Sequence, residues 1–189
     1  MNKYVPNFLT SIRLFLVPVF IYFVFISKIE SSILWASAIF LLASITDYFD
    51  GMLARKFDVV SNYGKIMDPL ADKLLVISAL FALSMKLNII SNWLVYIISI
   101  REIAVSCFRE YFAYKTVYIS ANLWGKIKTF MQMIGVIIIL LYLSIIHLYH
   151  IETVSSVIRF SFEIYFWIVA LITWISGLQY FVIILKMRR

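Results

Sequence analysis

The sequence predicts an all-α integral membrane protein of six transmembrane helices with a polar cavity on its cytoplasmic side. Three observations predict this fold: an apolar composition, six long apolar segments, and charges gathered at the ends of those segments. Hydrophobic residues make up 63% of the 189-residue chain and charged residues 14%, whereas soluble domains are roughly half apolar and about a quarter charged. Six helices of about 20 residues each would use most of the chain, which predicts one membrane domain over residues 1–189.

Each of the six apolar segments is long enough to cross the hydrocarbon core of a bilayer as a helix. In chain order the segments are Val5–Ile26, Ile33–Ala54, Asp68–Leu87, Trp93–Phe112, Leu123–His147 and Phe160–Leu185. Short loops are expected between them. The chain has a single cysteine, which excludes an internal disulfide.

The basic residues predict the orientation of these helices. With a cytoplasmic N-terminus, all but three of the 17 lysines and arginines lie toward the cytoplasm; the exceptions are Lys28, Lys86 and Arg159. This asymmetry follows the positive-inside rule, so both termini are predicted to be cytoplasmic and the protein to lie in the cell membrane. Membrane orientation thereby accounts for the formal net charge of +7, and nucleic-acid binding is not expected.

Four of the segments carry polar and charged residues at one end only. In the predicted topology all four of these ends are cytoplasmic, and they cover residues 47–55, 68–73, 101–110 and 125–129. Charged groups at membrane depth are costly and usually mark a functional site. We therefore expect the four ends to converge on one charged cavity that opens to the cytosol and borders the lipid.

An acidic cluster occupies the predicted cytoplasmic ends of the second and third helices. The cluster consists of four of the chain's five aspartates, Asp47, Asp50, Asp68 and Asp72, within a stretch of 26 residues. Four carboxylates held close together would repel one another and take up protons unless cations lay among them. Oxygen ligands suit Mg²⁺ or Mn²⁺, and the cluster has no His or Cys of the kind that binds zinc. Two metals about 4 Å apart could hold the attacking and leaving oxygens of a phosphoryl transfer.

Small residues accompany these carboxylates on the same helical faces. At about 100° per residue, Gly51 and Ala54 share the face of the two preceding aspartates and would let a bulky group approach the backbone. Asp68 and Asp72 are four residues apart, so they also share a face. Pro69 disfavours helical backbone at the residue before it, so the third helix is expected to begin or kink there.

The same stretch resembles the signature of the CDP-alcohol phosphotransferase family. It reads D-Y-F-D-G-M-L-A-R at 47–55 and G-K-I-M-D-P-L-A-D at 64–72, with eight residues between. The family pattern is D-x-x-D-G-x-x-A-R followed by G-x-x-x-D-x-x-x-D, and all eight fixed positions are present. The resemblance implies a six-helix membrane enzyme, expected as a homodimer, in which a CDP-linked lipid such as CDP-diacylglycerol donates its phosphatidyl group to an alcohol and CMP leaves.

The resemblance also implies roles for the signature residues. Two divalent cations, Mg²⁺ or Mn²⁺, would be bound by Asp47, Asp50, Asp68 and Asp72. The last of these would also be the base that takes the proton from the acceptor hydroxyl, which an attack on phosphorus requires. The CDP-lipid would be bound by Gly51, Ala54, Arg55 and Gly64.

A second set of basic residues bears on the identity of the acceptor. The fourth and fifth helices carry four cations near the predicted cavity, at Arg101, Arg109, Lys126 and Lys128. Such a surplus beside a metal-bound pyrophosphate indicates a second anionic substrate, whose phosphate an arginine can bind through two hydrogen bonds. The motifs around these cations resemble those of family members that use glycerol-3-phosphate and make phosphatidylglycerol phosphate.

Other interpretations stay open from the sequence. The acceptor could be inositol phosphate, serine or phosphatidylglycerol, and the four cations could merely follow the positive-inside rule. A transporter could use the aspartates to carry ions, although no inverted repeat or pair of broken helices accompanies them.

Overall fold

The computed structural model describes the backbone of residues 5–57, 62–114, 123–151 and 153–187, and the side chains of 10–47, 67, 70–112, 123–151 and 153–178. Six α-helices follow one another: α1 Val5–Ile21, α2 Ser32–Phe57, α3 Asn62–Phe81, α4 Asn92–Tyr114, α5 Leu123–Leu148 and α6 Ser156–Met187. Helix α1 continues as a π-helical turn over Tyr22–Ile26, and α3 does so over Ala82–Lys86. The described ranges contain no strand, which confirms the prediction of an all-α chain with six helices.

The third helix differs most from the sequence prediction. It begins at Asn62, six residues before Asp68, and it runs through Pro69. The prediction that the helix begins at Asp68 is therefore wrong. Proline removes one helical hydrogen bond, but a helix can continue through it where neighbouring groups satisfy the freed carbonyl. The early start places Gly64 in the same helix as Asp68 and Asp72.

The chain divides into two compact units, of which the first comprises Met1–Leu87 and Val136–Val154. In this unit α1 packs on both α2 and α3. Five alanines are 0% exposed, at Ala36, Ala43, Ala71, Ala79 and Ala82. Small residues of this kind let the backbones of packed helices approach closely.

The second unit comprises Asn88–Gly135 and Ser155–Arg189, and in it α4 packs on α6. The hydroxyl of Tyr165 in α6 donates a 2.8 Å hydrogen bond to the carbonyl of Met131 in α5. A Cβ atom at Gly135 would lie 2.5 Å from Cε1 of the Tyr165 ring. A methyl group at this point of α5 would therefore displace the ring, and glycine avoids that contact.

Large apolar side chains are common on the surface of the described helices. Among the described residues, Leu123–Leu148 and Ser156–Leu178 are long and apolar enough to cross a membrane, and Thr10–Ile26 and Ser32–Asp47 are shorter apolar stretches. Large apolar side chains face outward on several helices, with Trp93 74% exposed and Phe15 70% exposed. Such a surface suits contact with lipid, since soluble proteins rarely expose large contiguous apolar patches.

Candidate active site

The first half of the aspartate signature lies on α2. Asp47 has a side chain that is 38% exposed, and its Oδ1 atom lies 2.6 Å from Nη1 of Arg13. The backbone stays helical to Phe57. It therefore keeps the spacing that the signature requires at four further positions, whose side chains lie outside those described: Asp50, Gly51, Ala54 and Arg55.

Arg13 approaches Asp47 from α1. The residue as a whole is 0% exposed, and Thr10, one turn earlier, is 1% exposed. A buried charge is costly unless a partner balances it, so the carboxylate of Asp47 and the guanidinium of Arg13 stabilise each other. Sequence reasoning did not assign Arg13 to the site. The signal that could have found it is the presence of an arginine inside an apolar helix, which usually marks a functional site.

The second half of the signature lies on α3. Asp72 is half-buried and follows Ala71, which is fully buried. Gly64 and Asp68 occupy the same helix at intervals of four residues, and their side chains lie outside those described. Within the described part of the chain, no three His, Cys, Asp or Glu side chains come close enough to hold a metal ion. Two of the four predicted ligands are not covered there, so the four-aspartate metal site stays a prediction.

Arg101 on α4 is held from two sides. Its side chain is buried, and Nη2 donates a 2.5 Å hydrogen bond to Oγ of Ser176 on α6. Nη1 lies 3.6 Å from Oε1 of Glu102. Gly177 follows Ser176 on α6, and a Cβ atom at Gly177 would lie 2.9 Å from Nε of Arg101.

Lys128 on α5 is also buried and also contacts Glu102. Its Nζ atom donates to Oε1 of Glu102, whose side chain is 12% exposed. A single carboxylate of α4 thus lies against two cations, Arg101 and Lys128. Sequence reasoning gave Glu102 no role in the site, because an acidic residue directly after an arginine was interpreted as one that merely balances the charge of that arginine.

The other two predicted acceptor cations, Arg109 and Lys126, are exposed. The structure therefore separates the four cations into an exposed pair and a buried pair that shares Glu102. That the aspartates and these cations line one cavity stays a prediction.

The chain matches a family model described as CDP-alcohol phosphatidyltransferase over residues 3–178. It belongs to the CDP-alcohol phosphatidyltransferase family. The match confirms the resemblance drawn from the signature, and it extends well beyond the signature, from α1 into α6.

Curated members of this family resemble the chain over most of its length. A protein of Rickettsia felis is 37% identical over 180 residues, which cover 95% of this chain and 94% of the relative. A protein of Bacillus subtilis is 36% identical over 188 residues, covering 93% and 92% of the two chains. One from Blochmanniella floridana is 39% identical over 141 residues, covering 72% and 73%. All three relatives are named CDP-diacylglycerol–glycerol-3-phosphate 3-phosphatidyltransferase.

Proposed function

We propose that this family member transfers the phosphatidyl group of CDP-diacylglycerol to glycerol-3-phosphate, giving phosphatidylglycerol phosphate and CMP. The observation that carries the proposal is that relatives matched over more than nine tenths of both chains are named for this reaction. The complete aspartate signature on α2 and α3 supports the same chemistry. The cations of α4 and α5 support an acceptor that carries a phosphate of its own.

The metal ligands in this proposal are the four signature aspartates, Asp47, Asp50, Asp68 and Asp72. They would hold two divalent cations, Mg²⁺ or Mn²⁺, which suit an all-oxygen set of donors. The described half of the set fits this use, since Asp47 and Asp72 are half-buried carboxylates and Asp47 already faces a cation in Arg13. Bound metals would supply charge neutralisation at the pyrophosphate of the donor.

The proton of the acceptor hydroxyl would pass to Asp72. A primary hydroxyl of glycerol-3-phosphate then attacks the phosphorus that bears the diacylglycerol, forming a new P–O bond as the bond to CMP breaks. CMP takes the electron pair of the broken bond. A positioned carboxylate can act as base in this way when the hydroxyl lies within hydrogen-bond reach.

The donor would be bound beside the aspartates by small residues and one arginine of the signature. In this assignment the cytidine lies against helix positions that carry little or no side chain, and the arginine contacts the polar groups of the donor. The residues are Gly51, Ala54, Arg55 and Gly64.

The acceptor phosphate would be bound by the cations of α4 and α5. Arg109 and Lys126 are exposed and can meet a phosphate that arrives from the cytosol. Arg101 and Lys128 are buried, with Glu102 between them. We propose that the exposed pair binds the phosphate first and that the buried pair holds it in the position from which the acceptor reacts.

The membrane supplies one substrate and the cytosol the other. We propose that the chain is one multi-pass domain of six spans, with both termini and the site on the cytoplasmic side. CDP-diacylglycerol would then enter laterally, with its acyl chains in the lipid. The apolar stretches of α1, α2, α5 and α6 support this placement. A homodimer is the assembly that we propose for the family member.

A panel of acceptors tests the proposal. The full-length protein is purified in detergent, where no gradient can drive transport, and supplied with CDP-diacylglycerol labelled in its cytidine. We expect release of labelled CMP with glycerol-3-phosphate and Mg²⁺, and no release after chelation with EDTA. Release with serine, inositol phosphate or phosphatidylglycerol but not with glycerol-3-phosphate would overturn the proposed acceptor. The absence of release with every acceptor would overturn the enzyme assignment in favour of another use of the aspartates.

A further inference from the structure

We propose that Ser176 and Gly177 of α6 are positioning residues that hold the guanidinium of Arg101 for the acceptor phosphate. The inference rests on the proposed function, in which Arg101 contacts that phosphate. It gives α6 a role in acceptor affinity, although this helix lies more than 80 residues beyond the aspartate signature.

Gly177 provides a slot for the guanidinium. A Cβ atom at this position would lie 2.9 Å from Nε of Arg101, 3.4 Å from Nη2 and 3.6 Å from Cζ. Three atoms of the planar group therefore lie along the bare backbone of one glycine. A methyl group there would force the guanidinium or the helix to move, because atoms of this kind do not approach within 3.0 Å without strain.

Ser176 fixes the orientation of the group within the slot. Its Oγ atom donates a 3.0 Å hydrogen bond to the carbonyl of Thr173 and accepts one from Nη2 of Arg101. Because the hydroxyl proton is directed to the carbonyl, the lone pairs of Oγ face the guanidinium. Ser176 is 0% exposed, so no bulk water competes for this bond.

The two residues reduce the freedom that Arg101 would lose on binding a phosphate. A free arginine side chain carries about 2 kcal/mol of rotamer entropy, and a group held in its bound orientation binds more tightly because less of that freedom is lost. Glu102, at 3.6 Å from Nη1, constrains the opposite edge. The result is a guanidinium whose plane is set before the acceptor arrives.

The test measures which Michaelis constant changes. In full-length Gly177→Ala, we expect the KM for glycerol-3-phosphate to rise roughly 10-fold, as when one charge-assisted hydrogen bond is weakened. The KM for CDP-diacylglycerol should stay within about twofold, because the donor does not contact Arg101 in the proposed function. Ser176→Ala, which crowds nothing, should raise the same acceptor KM by a smaller factor and keeps the test open if Gly177→Ala folds poorly.

A double-mutant cycle shows whether the glycine acts through the arginine. In an Arg101→Ala background there is no guanidinium for the new methyl group to meet, so adding Gly177→Ala should change the acceptor KM by less than about twofold. The matched control is Gly135→Ala, which crowds Tyr165 instead of Arg101. It is expected to lower thermal stability without a selective rise in the acceptor KM.

Two further results would overturn the inference. The first is that Gly177→Ala and Ser176→Ala raise the KM for the acceptor and the KM for the donor equally. The same conclusion follows if either variant raises the acceptor KM by the same factor in the Arg101→Ala background as in the unaltered protein. In both cases α6 acts on the fold and not on the arginine. If the unaltered protein releases CMP only with an acceptor that has no phosphate, the proposed function fails and this inference fails with it. The unaltered protein therefore separates the two failures.

Discussion

Arg13 and Asp47 form an ion pair between α1 and α2, with Nη1 of the arginine 2.6 Å from Oδ1 of the carboxylate. The arginine is fully buried, while the aspartate side chain is 38% exposed. The first proposed metal ligand is thus held by a cation of the protein itself. Such a pair can hold the carboxylate in one orientation when no metal is bound.

Arg13→Met should therefore destabilise the metal-free protein more than the metal-bound one. Removing the buried arginine leaves a half-exposed carboxylate without its partner, and we expect a loss of roughly 2 kcal/mol after allowance for the exposure of Asp47. A bound metal would restore part of this stability, because it binds the folded state. Thermal unfolding in detergent with EDTA and with Mg²⁺ measures both losses.

The control for this variant is Arg159→Met, which removes an exposed arginine of α6 and should change the unfolding temperature little. Arg13→Lys keeps the charge and should lie between the variant and the unaltered protein. Equal losses for Arg13→Met with and without Mg²⁺ would mean that the ion pair serves the packing of α1 alone.

Asp72→Asn should abolish turnover and leave the fold intact. The amide keeps the size of the side chain but cannot take the proton of the acceptor hydroxyl, and loss of a positioned base costs about 10²–10⁴-fold in rate. CMP release with saturating substrates measures the rate, and thermal unfolding in detergent checks the fold. Glu30→Gln, at an exposed acid outside the signature, should retain full activity. Turnover of Asp72→Asn at the rate of the unaltered protein would refute the assignment of the base.

The sequence was sufficient to predict the six helices because each is a long, largely apolar run that is bounded by polar residues. The start of α3 at Asn62 was not predictable in this way. The rule for residues before proline is local, whereas the helix gains hydrogen bonds on both sides of Pro69. Packing of α3 on α1 also stabilises the helix, and the helix propensities of its own residues do not include this contribution.

The candidate site was predictable only where a motif names its residues. The aspartates stand at fixed spacings along two helices, so a pattern can identify them. The contacts of Arg101 with Ser176 and of Lys128 with Glu102 join residues 75 and 26 positions apart. Such contacts depend on how helices pack, and periodicity within one helix does not determine them.

Arg109→Gln and Lys126→Gln should each raise the KM for glycerol-3-phosphate and leave the KM for CDP-diacylglycerol unchanged. Both residues are exposed, so their removal should hardly affect folding. A charge-assisted hydrogen bond to a phosphate contributes about 1.5–3 kcal/mol to binding. Solvent screening weakens the bond at an exposed site, so we expect the acceptor KM to rise roughly 3- to 10-fold in each variant. Steady-state kinetics at two salt concentrations measures the effect, which should shrink as salt increases.

The matched control for this pair is Lys86→Gln, which removes an exposed lysine at the far end of α3 from the aspartates. It should leave both Michaelis constants unchanged. Unaltered acceptor kinetics in both Arg109→Gln and Lys126→Gln would show that these cations orient the helices in the membrane and do not bind substrate.

Glu102→Gln should destabilise the protein far more than Glu110→Gln, although each glutamate directly follows an arginine in α4. Glu102 lies against both Arg101 and Lys128, and all three side chains are largely buried. Loss of its charge removes a carboxylate from two buried cations, which costs several kcal/mol when a buried pair is broken. Glu110 is exposed, and exposed pairs contribute less than about 1 kcal/mol. Thermal unfolding of the two variants in detergent compares them directly, and equal unfolding temperatures would show that the buried carboxylate does not stabilise α4 and α5.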